Sequence, residues 1–307
     1  MAVAGQPIAL SSPEHQNWRR AMRAYVALTK PRIIELLLVT TIPTMFVAAR
    51  GVPSPWLMIA TTLGGTAAAG SANAINCWVD RDIDALMART AHRPLVRSEV
   101  APRNALIFGV VLGVVAFLWL AATVNLLSAA LALAANLFYV LVYTMGLKRR
   151  TTQNIVIGGA AGCVPVLVGW AAVTGTVELP ALLLFAIVFA WTPPHFWALA
   201  LRYRRDYARA GVPMMPVVAG VAETARQILL YTILLVALTL MFGAVAQLGM
   251  LYLASALALG AGYIFAAVRL LRVPNAATAQ AAFNYSITYI ALLFAVMAVD
   301  AVVFSAA

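Results

Sequence analysis

Asn76, Asp80 and Asp84 stand four residues apart in the run Asn76-Cys77-Trp78-Val79-Asp80-Arg81-Asp82-Ile83-Asp84. On a helix each four-residue step turns a side chain by only about 40°, so the spacing predicts one stripe of oxygen atoms on one face. Such a stripe suits Mg2+, a hard cation that takes one or two carboxylates and shares its other positions with water and substrate phosphates. Three of the chain's 10 acidic residues fall within these few positions, which argues for chemistry. A solvated helix end with local aspartate–arginine pairs would use the same spacing. Arg89 and Arg93 follow, again four apart, and predict two guanidinium groups forked onto the same phosphate oxygens.

A second loaded stretch begins Trp191-Thr192-Pro193-Pro194-His195-Phe196-Trp197 and ends Arg202-Tyr203-Arg204-Arg205-Asp206-Tyr207. The two prolines predict a break or kink in their helix. His195 falls at membrane depth, where an ionisable group is costly and suggests function. It could contact a cofactor-like substrate, act as a base, or satisfy carbonyl groups freed by the prolines. Asp206 could add a metal ligand or pair with a nearby arginine. Lys30, Arg32, Lys148 and Arg149 are further candidates for a diphosphate, and equally for interfacial anchors. Glu35, one turn into the first apolar segment, is expected to pair with an arginine. Asp300 reads as interfacial.

The elements that must position these residues are membrane helices. The 307-residue chain is 64% hydrophobic and 10% charged, with a mean hydropathy of +0.92. Its apolar runs approach or exceed the roughly 18–20 residues that cross a bilayer. Nine spans are expected, near 33–49, 56–77, 104–123, 126–145, 154–174, 180–201, 227–246, 249–270 and 283–304. Cys77 and Cys163 fall in or beside helices and imply no disulfide framework. The first 25 residues are polar, with Arg19, Arg20 and Arg23, and show no cleavable signal.

The basic residues then orient the bundle. With nine spans, all of the 21 basic residues except Arg50 fall on one side. The positive-inside rule makes that side cytoplasmic, with the amino terminus in and the carboxyl terminus out. The formal charge of +11 follows from this topology, so no nucleic-acid partner is implied. The reading is an all-α polytopic bundle of nine transmembrane helices: a cytoplasmic tail over 1–25, then one membrane domain over 26–307. Connections of about 25 residues follow spans 2 and 6. A four-span block with a loaded loop after its second helix thus occurs twice, with span 9 left over. Parallel repeats of this kind often place a site between the halves.

These residues together resemble the UbiA-type intramembrane prenyltransferases, and within them the haem-farnesylating branch. The likeness runs from Thr29-Lys30-Pro31-Arg32 to the last span. It is carried by the Asn76–Asp84 run with Arg89 and Arg93-Pro94-Leu95, by Lys148 through Gly159, by Pro194-His195-Phe196-Trp197-Ala198-Leu199-Ala200, and by Asp206-Tyr207 through Met214. Where many members of the superfamily carry several aspartates after the sixth helix, this chain has His195 and Asp206. The resemblance implies farnesyl diphosphate, haem B and water as substrates, haem O and diphosphate as products, and an inner-membrane enzyme working from the cytoplasmic side. It assigns Asn76, Asp80 and Asp84, with Asp206, to Mg2+, and Arg89 and Arg93 to catalysis. Lys30, Arg32, Lys148 and Arg149 go to the diphosphate, and His195 to haem. A haem A synthase or a terminal-oxidase assembly partner would stand downstream.

Three rival readings fare worse. An aromatic-acid prenyltransferase should show the aspartate-rich second motif. A secondary transporter should place carboxylates at mid-membrane. A haem redox protein wants paired axial histidines, and only His195 lies in a span.

Overall fold

The computed structural model describes residues 13–304, and every described element is helical. In chain order these are α1 (Pro13–Thr29), α2 (Pro31–Ala49), α3 (Pro55–Val79), α4 (Arg81–Leu86), α5 (Pro102–Thr123), α6 (Leu126–Leu147) and α7 (Asn154–Gly158). There follow α8 (Ala160–Thr174), α9 (Leu179–Arg202), α10 (Arg204–Arg209), α11 (Met215–Val218), α12 (Gly220–Val245), α13 (Met250–Arg272) and α14 (Ala276–Phe304). Proline sits in the first turn of α2, α3, α5 and α9, where its missing N–H has no helical partner to lose. The tail expected over 1–25 is helical from Pro13; its residues 1–12 lie outside the described residues.

Among the described residues, eight helices are long and apolar enough to cross a membrane. The expected nine would add α3, which has the length, 25 residues, and no charge. Its glycines, alanines, Ser71, Asn73 and Asn76 make it less apolar, because α3 is packed on by α1, α2, α5 and α6. Polarity is inverted relative to a soluble protein. Val110, Val111, Val114, Leu118, Leu234 and Phe265 are exposed, whereas Thr41, Thr44, Ser71, Thr224, Thr232 and Thr239 are buried. An apolar outer surface with hydroxyls inside is the arrangement that lipid selects, and the protein is a multi-pass membrane protein.

The helices α2, α8, α9 and α14 contact one another in a closed ring, so the leftover last helix joins the first half to the second. Small residues let them approach. A Cβ on Gly169 of α8 would lie 2.7 Å from the Thr41 carbonyl of α2. Polar side chains tie neighbours elsewhere: Ser71 of α3 donates to the Gly109 carbonyl at 2.6 Å, and Asn136 of α6 donates to Ser71 at 2.9 Å.

Two local expectations are corrected. The helix α9 runs unbroken through Pro193 and Pro194. Prolines are tolerated inside membrane helices when neighbouring helices hold the segment, and here α14 packs alongside. The helix α12 starts at Gly220, not near 227, so the connection after α9 is shorter than expected. Glu223 in its first turn, paired with Arg226, favours the earlier start. Asp300, near the end of α14, is buried and accepts from the backbone N–H groups of Gly249 (2.6 Å) and Tyr252 (3.0 Å) at the start of α13.

Gly169→Ala should lower stability by about 1–3 kcal/mol through overpacking of α2 against α8, read as a lower unfolding midpoint in detergent. An unchanged midpoint would show that the two backbones are not in close contact.

Candidate active site

Asn76, Asp80 and Asp84 lie together, but not on one helix. The chain turns at Asp80 (φ −87°, ψ 2°), where α3 ends and α4 begins. The helical bonding pattern nevertheless crosses the corner. The Asp80 N–H donates to the Asn76 carbonyl at 2.9 Å and the Asp84 N–H to the Asp80 carbonyl at 2.8 Å. All three side chains are buried, while the intervening Asp82 faces outward.

Cations arrive on this stripe from four directions. Lys30, in the left-handed region between α1 and α2 (φ 53°), donates to Asn76 Oδ1 at 2.6 Å. The Asn76 amide donates onward to Asp80 Oδ2 at 2.8 Å and Thr144 Oγ1 at 3.0 Å. Lys148, just past α6, pairs with Asp80 Oδ2, and Arg93 pairs with Asp84 Oδ2. Arg149 forks onto both oxygens of Asp82 at 2.6 and 2.7 Å and reaches within 3.7 Å of Asp80 Oδ1. Burial, with the charges of Arg93 and Lys148 acting the same way, pulls the Lys30 ammonium down to about 8. The Arg149 hydrogen bonds hold the Asp82 carboxyl at about 2.

Each buried carboxylate is only half used. Asp80 Oδ1 and Asp84 Oδ1 are inaccessible to solvent and have no hydrogen-bond partner. A bare anionic oxygen in a dry site is costly unless something positive completes it. The donor set fits Mg2+: two hard carboxylate oxygens and a neighbouring amide.

Residue spacing does not reveal how α6 delivers Lys148. Its last ten residues, Phe138–Leu147, wind as a π-helix, and the Lys148 N–H bonds back to the Tyr143 carbonyl. This wider winding brings Thr144 against Asn76 and Lys148 against Asp80. Gly158 makes room for it, since a Cβ there would overlap the Tyr143 ring at 2.1 Å. Asn154, fully buried, braces the corner by donating to the carbonyls of Lys148 and Thr151. A π segment has no clear sequence signature; the paired glycines after it were the available signal.

Several expected site residues lie elsewhere or act differently. Arg89 and Arg93 sit in turns beyond α4, not on a helix, and diverge. Arg93 goes to Asp84, while Arg89 donates to the Tyr207 hydroxyl at 3.3 Å and lies 5.5 Å from the Tyr203 ring. Arg89 thereby joins the first loaded loop to the second. Ile83 and Met87 complete that junction by packing with Tyr143, Trp197 and Tyr207. Asp206 pairs with Arg209 one turn along α10 and makes no hydrogen bond or ion pair with the stripe among the described residues. Arg32 and Glu35 are exposed and form no ion pair among the described residues, because both lie on the outward face of α2.

His195 is stacked between Trp191 (4.2 Å between ring centres) and Phe283 (4.8 Å). Its Nδ1 lies 2.6 Å from Ser286 Oγ, which itself donates to the Phe283 carbonyl at 2.6 Å. A carbonyl can only accept, so the single hydroxyl proton is committed there and Nδ1–H must donate to Ser286. The Nε2 lone pair then remains, with no hydrogen bond among the described residues. The histidine is therefore fixed by α14 and does not serve the carbonyl groups freed by the prolines.

The UbiA prenyltransferase family profile matches residues 37–296. A protoheme IX farnesyltransferase 1 from Saccharopolyspora erythraea is 58% identical over 288 residues, which cover 93% of this chain and 92% of that protein. A protoheme IX farnesyltransferase from Frankia alni is 56% identical over 285 residues, covering 92% and 99%. A structure of digeranylgeranylglyceryl phosphate synthase superposes with a TM-score of 0.76 at 18% identity, over 92% of this chain and 99% of that one. A UbiA homolog from Archaeoglobus fulgidus, solved bound to DMAPP and Mg2+, gives 0.65 at 18% identity, over 90% and 99%.

Lys148→Met should destabilise the protein by about 3–5 kcal/mol, because it strands a buried carboxylate. Adding Asp80→Leu should recover most of that stability while prenyl transfer stays lost. If the double variant were no more stable than the single one in thermal unfolding, the pair would not be the buried contact seen here.

Proposed function

The chain belongs to the UbiA prenyltransferase family, and on that premise we propose that it transfers a farnesyl group from farnesyl diphosphate to a vinyl group of haem B. The observation that carries this reading is the half-used stripe. Four cations (Lys30, Arg93, Lys148 and Arg149) gather around Asn76 and three carboxylates, with Arg89 held next to them on Tyr207, and two buried carboxylate oxygens have no hydrogen bond. That is a receptor for a diphosphate together with a hard divalent cation. Relatives named protoheme IX farnesyltransferase supply the acceptor and the chain length.

Asp80 and Asp84 would hold Mg2+ through their free Oδ1 atoms, with Asn76 at the head of the stripe. Bound there, the ion would neutralise the diphosphate and stabilise charge on the leaving group. Lys30, Lys148 and Arg93 already stand on stripe oxygens, and with Arg89 they would turn to the incoming phosphates as charge-assisted donors. Asp206, held by Arg209, is left out of the metal set, and the exposed Arg32 out of the diphosphate set. The carbon–oxygen bond to diphosphate breaks, leaving an allylic cation. The vinyl π electrons attack it to form the new carbon–carbon bond, and water adds to the resulting cation and loses a proton. The products are haem O and diphosphate. Ile83, Met87, Tyr143, Trp197 and Tyr207 form an apolar wall beside the stripe that keeps other water from the farnesyl cation.

His195 is the proposed contact to haem, through the Nε2 that Ser286 leaves free. The basic end of the bundle is assigned to the cytoplasm, with the protein in the inner membrane. Its product would pass to a haem A synthase or to terminal-oxidase assembly.

Purified protein given haem B, farnesyl diphosphate and Mg2+ should yield a haem carrying a hydroxyethylfarnesyl group by mass, and chelation should stop it. Asp84→Ala should slow the reaction by about 10²-fold or more; an unchanged rate would remove the metal assignment. Unaltered haem B beside an efficiently prenylated aromatic acid would overturn the acceptor but leave the class.

The haem contact has its own test. His195→Ala should alter the Soret band of bound haem B and weaken its binding. Ser286→Ala should show a smaller change of the same kind, and Ser286→Thr should restore the spectrum. Identical spectra and affinities in all three variants would exclude the contact.

A further inference from the structure

Two side chains of α9 reach across to α14. His195 stacks on Phe283 and meets Ser286, and Arg202, in the last turn of α9, donates to Gln280. They are seven residues apart, about 10.5 Å of helix, and so leave α9 on nearly the same side. The order on α14 agrees: Gln280 stands one turn before Phe283, and Ser286 lies one turn beyond it. These contacts form one seam, with the histidine deeper in the membrane and the arginine at the basic end. Gln280 passes the bond on by donating to Asn284 Oδ1 at 2.7 Å. Asn284 is exposed although it lies two turns inside a membrane span, and its own amide N–H groups have no partner among the described residues. An unfilled amide at that depth is unfavourable against lipid. The charge at the basic end of the seam is unanswered as well. Arg202 and Arg89 each lie 5.5 Å from the Tyr203 ring. Their hydrogen-bond partners, Gln280 and Tyr207, are neutral, and neither arginine forms an ion pair among the described residues.

We propose that Arg202 and Asn284, positioned by Gln280, hold the propionate edge of haem B, with His195 against the macrocycle two turns deeper. The site rests on haem B being the acceptor. Haem B carries two propionate carboxylates on one edge, and a guanidinium beside a free amide N–H is a receptor for a carboxylate. The rise from His195 to Arg202 is close to the reach from the centre of a porphyrin to its propionates. The vinyl groups lie on the opposite edge of the macrocycle, so an anchor here leaves them free to react. Tyr203, shared by Arg202 and Arg89, joins the seam to the diphosphate end of the site.

Soret-band titrations of the full-length protein in detergent test this with haem B and with its dimethyl ester, in which both propionates are neutral. The wild type should bind haem B about tenfold more tightly than the ester. Arg202→Gln should remove most of that preference by weakening haem B alone. Gln280→Glu, which keeps the arginine but gives it a carboxylate partner, should do the same. Both side chains lie at the surface, and gel filtration checks that each variant stays monodisperse. Equal affinity of the wild type for acid and ester, or the wild-type preference retained in both variants, would overturn the site and leave haem B as acceptor. Equal loss of haem B and ester in the variants would show a disturbed pocket with no propionate contact, and would overturn the site too. A wild type that binds neither haem would remove the acceptor itself, and this site with it.

Discussion

Two buried carboxylates, each with one oxygen hydrogen-bonded and one without a hydrogen bond, are the constraint around which this end of the bundle is built. Burying a carboxylate oxygen without a hydrogen bond is costly, even where a lysine or arginine balances the formal charge. The surrounding backbone is bent to supply what partners there are. Lys30 adopts a left-handed conformation that few non-glycine residues take, and α6 gives up α-helical winding to bring Lys148 to Asp80. Such departures from regular backbone are where function and stability compete. A chain optimised for stability alone would have capped the two free oxygens with its own donors.

The rest of the architecture encloses that end and fixes the second loaded stretch against it. The ring of α2, α8, α9 and α14 closes the two halves on each other. It also places Ser286 of α14 beneath His195 of α9, a hydrogen bond that selects one ring tautomer. Arg89 reaches from the first loaded loop to Tyr207 in the second, so the two loops form one site although more than a hundred residues separate them.

Much of this was legible in the sequence for simple reasons. Hydropathy gave the membrane class, and four-residue spacing gave the Asn76–Asp80–Asp84 stripe, whose helical bonding survives the corner at Asp80. Lys30, Lys148 and Arg93 stood out because charge is rare in this chain. Other features depend on packing, which spacing does not encode. The prolines at 193 and 194 predict a break that neighbouring helices prevent. The π segment of α6 and the partners Thr144, Asn154 and Ser286 are ordinary residues until the fold brings them to the site. Asp206 and Arg32 had suitable chemistry, but one is taken by its own helix and the other faces outward.

The account rests on Asp80 and Asp84 jointly holding a divalent ion that arrives with a prenyl diphosphate. Electron paramagnetic resonance of Mn2+, titrated into the protein with an unreactive farnesyl thiodiphosphate, tests that without relying on turnover. The account predicts a bound-ion spectrum in the wild type that strengthens when the analogue is added and disappears in an Asp80→Asn/Asp84→Asn double variant. An unchanged spectrum in that variant would contradict it.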